Sequence, residues 1–87
     1  MSNSEHSILV VEDNRDILNL LNINLSDQDY NVIIADDGEK ALKQFHAFNP
    51  SMVILDVMLP KLDGLEVCKR IRKEDRMIPI LMLTAKS

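Results

Sequence analysis

Apolar residues crowd into four short runs along the chain: SILVV (7–11), NVIIA (31–35), MVILD (52–56) and ILMLT (80–84). Each is short, rich in β-branched or other apolar residues, and ends on polar or turn-forming residues, the pattern of a buried strand. Between them the apolar period changes from continuous to helical. Ile17, Leu18, Leu21 and Leu25 share one predicted face while Arg15, Asn19, Asn22 and Asn24 take the others, and the helix ends near Ser26-Asp27-Gln28-Asp29. A second helix turns Ala41, Leu42, Phe45 and Phe48 inward and stops before Pro50, and a third carries Leu65, Cys68 and Ile71 as its stripe. Each start has capping residues: Glu12, Asp13 and Asn14 before the first, Asp36-Asp37-Gly38-Glu39 with Glu39 three residues after Asp36 before the second, and Asp63 with Glu66 before the third.

The order is therefore strand, helix, strand, helix, strand, helix, strand. Such alternation predicts an α/β fold, a doubly wound parallel sheet with both faces covered, and it accounts for strands that do not alternate between apolar and polar. Eighty-seven residues allow one domain with a modest core, and 46% hydrophobic with 28% charged residues marks a globular chain.

A net charge of −4, from ten basic and fourteen acidic side chains, argues against nucleic-acid binding through this segment. The basic cluster Lys69, Arg70, Arg72 and Lys73 lies in a helical pattern beside Glu66, Glu74 and Asp75, which suits a solvated helix face. Cys68 stands alone, so an internal disulfide and a cysteine zinc site are excluded; it is expected as a small core residue in a reducing compartment. No apolar stretch is long enough for a membrane span, and MSNSEHS has no signal-peptide pattern. The expected location is the cytoplasm. Residues 1–6 are expected to be a flexible terminus, and His6 and His46, whose spacing supports no metal or phosphohistidine site, are expected at the surface.

One residue does not fit a purely structural reading. Asp56 closes the apolar run VILD, and a buried carboxylate is costly unless it is paired, hydrogen-bonded or metal-bound. If the strand order is 2-1-3-4, the order reverses between the first and third strands, where doubly wound sheets bind ligands. Glu12 and Asp13 follow the first strand and Asp56 ends the third. Adjacent strands lie about 4.8 Å apart, so three carboxylates would converge. Their repulsion calls for a cation, and an all-oxygen set favours Mg²⁺, with Mn²⁺ as the alternative. A backbone carbonyl just past Asp56 could join the ligands, Asp56 could attack a phosphoryl group, and the Thr84 hydroxyl at the end of the fourth strand could hydrogen-bond one of its oxygens. Taken singly, Asp13 reads as well as a helix cap and Thr84 as an ordinary strand residue. The combination is what carries the chemistry.

At ILVVEDN (8–14), VILDVMLPKLDGLEVCKRIR (53–72) and PILMLTAK (79–86) the chain resembles the receiver domain of bacterial two-component response regulators, most of all the OmpR/PhoB class of transcriptional regulators. The resemblance covers nearly everything from Ser7 and implies a flavodoxin-like receiver fold with order 2-1-3-4 for the four strands present. It further implies Asp56 as phospho-acceptor, Asp13 as a direct metal ligand, Glu12 acting through a metal-bound water, Met58 lending its backbone carbonyl to Mg²⁺, and Thr84 turning its hydroxyl to the phosphoryl group. Pro60 and Gly64 would shape the loop after the acceptor, and the implied phosphodonor is a sensor histidine kinase. DNA would be met only through an output domain outside this segment.

A receiver of this kind continues with a fourth helix, a fifth strand bearing a lysine, and a fifth helix. Residues 7–87 are therefore expected to be a partial receiver domain; neither Lys61 nor Lys86 sits where that lysine belongs. The expectation is a fragment of a longer protein or an assembly in which another copy covers the apolar fourth strand. Two other readings compete with the phospho-acceptor. A haloacid-dehalogenase-like phosphatase would need a second Asp where Met58 stands, so an enzyme is not expected. The other is an unphosphorylated protein-interaction or oligomerisation module with a vestigial acidic pocket.

Overall fold

The structure is a computed structural model, and it describes residues 6–83. Four strands, β1 (Ser7–Val11), β2 (Asn31–Ala35), β3 (Met52–Asp56) and β4 (Ile80–Leu83), alternate with three helices, α1 (Arg15–Asp27), α2 (Gly38–Phe48) and α3 (Gly64–Glu74). All strand pairs are parallel and the order is β2-β1-β3-β4. The switch point thus falls between β1 and β3, as the resemblance to receiver domains implied. Thr84, predicted to end the fourth strand, lies outside the described residues, as do Lys86 and most of the predicted flexible terminus.

The side-chain alternation of β1 and β3 divides the core into two. Leu9, Val11, Val53 and Leu55 point to the face covered by α2 and α3, where they meet Ala41, Phe45, Val67 and Ile71. Ile8, Val10 and Ile54 point to the opposite face, beneath Leu18 of α1. Leu9, Val10, Val11, Val53 and Leu55 have no solvent exposure at all, so each central strand is apolar on both faces because helices lie on both. The outer strands differ from that expectation. β2 leaves Ile34 exposed and β4 leaves Leu81 half exposed, because each lies at an edge of the sheet and only part of its surface meets a helix.

The helix caps show how neighbouring acids share local work. Asn14 accepts hydrogen bonds from the Asp16 and Ile17 amides at 3.0 and 3.1 Å and starts α1. Asp37, not Asp36, caps α2, accepting from the Lys40 amide at 2.8 Å. Asp36 instead pairs with Lys40 Nζ at 3.0 Å, and this hydrogen bond holds its carboxyl below the usual range. The Asp63 carboxylate accepts from the Glu66 amide at 2.9 Å and caps α3. Glu66 does not reach back to the cap as predicted; it turns along the helix to Arg70 at 3.0 Å and Lys69 at 4.0 Å. Asp63→Ala should cost about 1 kcal/mol, read as a melting temperature lower by roughly 4–8 °C in a domain of this size.

Several inward assignments are corrected by exposure. Ile17, Phe48 and Leu65 are 42, 56 and 62% exposed. Each stands at the margin of its helical stripe, and a helix buries only the part of its circumference that meets the sheet. Cys68 is partly buried against the α2–α3 core. His46 is exposed as expected, at 2.6 Å from Glu74 of α3. Within the basic cluster, Arg72 departs from the solvated reading by donating to the Ile78 carbonyl.

Candidate functional site

Parallel pairing brings the acids together without any special device. Val11 pairs with Leu55, so the next residues, Glu12 just past β1 and Asp56 at the end of β3, lie side by side at the carboxyl edge of the sheet. Asp13 follows in the turn toward α1. One carboxylate oxygen from each of Glu12, Asp13 and Asp56 lies within 4.8 Å of the other two. Glu12 and Asp56 are each only 4% exposed, whereas Asp13 is exposed.

Each buried acid has some backbone help. Glu12 accepts a hydrogen bond from the Asn14 amide at 3.0 Å, and the Glu12 amide itself donates to the Ala35 carbonyl at 3.1 Å. Asp56 accepts from the Met58 amide at a longer 3.3 Å. These contacts do not cancel the crowding. Burial pushes the Glu12 carboxyl above its usual range; the Asn14 amide opposes that, and the negative charges of Asp56 and Asp13 add to it. The cavity of about 630 Å³ around the cluster is bordered by Glu12, Asp13, Asn14, Ile17, Asp56, Met58 and Leu83, with no cationic side chain among these.

Three carboxylates, all oxygen donors and two of them buried, fit a hard divalent ion such as Mg²⁺ better than zinc or copper. Met58 is placed by the loop that leaves Asp56 and is 67% exposed at the mouth. A second hollow, of about 450 Å³, opens on the far side of Met58 between Asp13, Leu59, Pro60, Asp63 and Leu65.

The loop after Asp56 is folded back on itself. The Val57 amide donates to Leu83 of β4 at 3.1 Å, the Val57 carbonyl accepts from the Gly64 amide at 2.9 Å, and the Leu62 amide donates to the Pro60 carbonyl at 2.7 Å across Lys61. Lys61 adopts the left-handed region at φ 70°. Gly64 is packed against Asp56 itself: a Cβ there would overlap the Asp56 carbonyl oxygen and stand 2.8 Å from Val57 Cα. The sequence singled out Pro60 and Gly64 in this loop and passed over Gly38, which packs on Leu62 from α2. An Asp-Gly before a helix reads as a cap, and its contact with a distant loop leaves no local signal.

The response regulator receiver domain family matches residues 8–87. The alkaline phosphatase synthesis transcriptional regulatory protein PhoP of Bacillus subtilis (strain 168) is 57% identical over 79 residues, 91% of this chain and 33% of that protein. The probable transcriptional regulator ycf27 of Pyropia yezoensis is 49% identical over 85 residues, covering 98% and 35%. The chain thus spans about a third of the length of these curated relatives. Among solved structures, the response regulator TrrA from Thermotoga maritima, in complex with Mg²⁺-BeF, superposes with a TM-score of 0.88 at 43% identity over 94% of this chain and 71% of that one. The N-terminal domain of a response regulator receiver protein from Methanoculleus marisnigri JR1 gives 0.86 at 40%, covering 93% and 68%. With the 2-1-3-4 sheet and an acid triad at its switch point, the chain belongs to the response regulator receiver domain family.

Proposed function

We propose that this chain is a phospho-accepting signalling receiver that takes a phosphoryl group from a sensor histidine kinase onto Asp56. The observation that carries the reading is the convergence of the Glu12, Asp13 and Asp56 oxygens within 4.8 Å, with Asp56 buried at the end of an apolar strand. The Asp56 carboxylate attacks phosphorus, a P–O bond forms to it, and the P–N bond to the donor imidazole breaks, leaving its electron pair on the histidine. Asp13 and Asp56 would hold Mg²⁺ directly, Glu12 through a water, and Met58 through its backbone carbonyl. When bound, the ion would offset the negative charge of the incoming phosphoryl group. Thr84, outside the described residues, is assigned the phosphoryl hydrogen bond and the switching role on the family pattern alone. The Mg²⁺-BeF complex of the Thermotoga maritima relative supports the metal reading.

The chain works in the cytoplasm as a regulatory domain, and among the described residues no helix is long and apolar enough to cross a membrane. Its proposed output is the regulation of transcription, with DNA met through a separate output domain; the transcriptional role draws on the names of its relatives. A second reading, a protein-interaction module in which another copy pairs with β4, draws on the half-exposed Leu81 at that sheet edge. A small phosphodonor such as a phosphoramidate distinguishes the two. With Mg²⁺ the chain should gain the mass of one phosphoryl group, mapped to the peptide containing Asp56, and with a chelator it should gain none. No metal-dependent gain would leave the interaction module as the better account.

A further inference from the structure

Gly38 is remote in sequence from the acids and belongs to a helix on the α2–α3 face, yet it lies against the loop that follows Asp56. A Cβ at residue 38 would overlap the Leu62 carbonyl oxygen and stand 2.6 Å from Leu62 Cβ and 2.7 Å from its carbonyl carbon. The Gly38 amide faces the Pro60 carbonyl at 3.4 Å. No glycine here has positive φ, so what residue 38 supplies is space: a flat seat into which the Pro60–Leu62 turn drops. That turn contains Lys61 at φ 70°, a conformation that an L residue keeps only when its surroundings enforce it.

The loop has no slack with which to absorb a shift. Its two ends are joined by the Gly64 amide and Val57 carbonyl at 2.9 Å, and Val57 is tied to β4 through Leu83 at 3.1 Å. A displacement of Leu62 must therefore be passed along Leu59–Pro60 to Met58, whose amide is bonded to the Asp56 carboxylate at 3.3 Å. From this geometry we infer that Gly38 is a positioning residue for the phospho-acceptor site: its missing side chain sets the height of the 57–64 loop, and through it the placement of Met58 relative to Asp56. The inference rests on the Mg²⁺ reading proposed above.

Mg²⁺ titrations of the chain, followed by calorimetry and by amide resonances, test it. Gly38→Ala should weaken Mg²⁺ binding by about tenfold or more, in the range found when groups that orient metal ligands are altered. Phe45→Leu, a core change in the same helix, should lower the melting temperature and leave Mg²⁺ affinity unchanged. In the wild type the Gly38 amide resonance should move with Mg²⁺ at the same midpoint as that of Met58, a readout that holds even where Gly38→Ala does not fold. Unchanged affinity in Gly38→Ala, equal weakening in Phe45→Leu, or a Gly38 resonance that stays still while Met58 moves would each overturn the inference while leaving the metal site intact. A wild type that binds no Mg²⁺ would overturn both the inference and the functional reading.

Discussion

Asp56→Asn should accept no phosphoryl group under conditions that label the wild type, and in metal-free buffer it should melt about 4–8 °C higher, a gain of about 1 kcal/mol in a domain of this size. Both effects come from the same charge. Two carboxylates at this separation repel by roughly 3 kcal/mol at an effective dielectric near 20, and the open mouth of the site screens part of that. Asn keeps the shape and can still accept the Met58 amide, while the charge that helps push the Glu12 carboxyl upward is gone. The pH dependence has a definite sign. A carboxyl raised above its ordinary value contributes stability at low pH that is lost as pH rises through the folded-state value. The advantage of Asp56→Asn should therefore grow from pH 4 toward pH 7. Mg²⁺ at a hundred times its Kd should then reverse the ranking, because such a concentration adds about 2.7 kcal/mol to the form that binds it. Equal melting temperatures in chelator at pH 7 would show that the acids do not crowd one another.

Much of this arrangement is legible in the residue pattern, for physical reasons that differ from element to element. The strands MVILD and SILVV are buried on both faces, so their apolar runs have no phase to misread and their limits are sharp. The meeting of Glu12, Asp13 and Asp56 follows once the strand order is granted, since parallel register places the ends of β1 and β3 together. Order itself is less local. It was supplied by the likeness of whole motifs to a family, and the sheet agrees.

The misreadings come from interactions that neighbouring residues cannot encode. Asp36 and Asp37 are both able to cap α2, and the choice of Asp37 depends on where β2 releases the chain. Ile17, Phe48 and Leu65 have the helical spacing of core residues but emerge at the margins of their helices. The two glycines are the clearest case. Their importance lies in which backbone segment comes close to them, a fact of tertiary structure that the dipeptide Asp-Gly at 37–38 and again at 63–64 does not distinguish from a helix cap.

Gly64→Ala brings that distinction to a measurement, because local and tertiary effects have opposite signs there. Residue 64 opens α3 without positive φ, and by helix propensity alone alanine would be the better residue by up to about 1 kcal/mol. Against this, the new methyl would overlap the Asp56 carbonyl oxygen and lie 2.8 Å from Val57 Cα and 2.9 Å from the Asp56 carbonyl carbon. All three atoms are backbone, so no rotamer change relieves the contact. Overpacking costs about 1–3 kcal/mol where side chains can give way, and here the cost should be at the upper limit or beyond, enough to outweigh propensity. The expected net loss is about 2 kcal/mol or more, or roughly 8–16 °C in melting temperature. Because the atoms that must move belong to Asp56 and Val57, phosphoryl transfer should fall as well, even at temperatures where the variant is fully folded. Asp63→Ala is the natural comparison: it weakens the same helix start through the cap and leaves the Asp56 carbonyl untouched, so it should lose stability without losing phosphoryl transfer. A Gly64→Ala variant as stable as the wild type would mean that α3 can slide away from β3 at little cost, and the rigid loop proposed to place Asp56 would have to be abandoned.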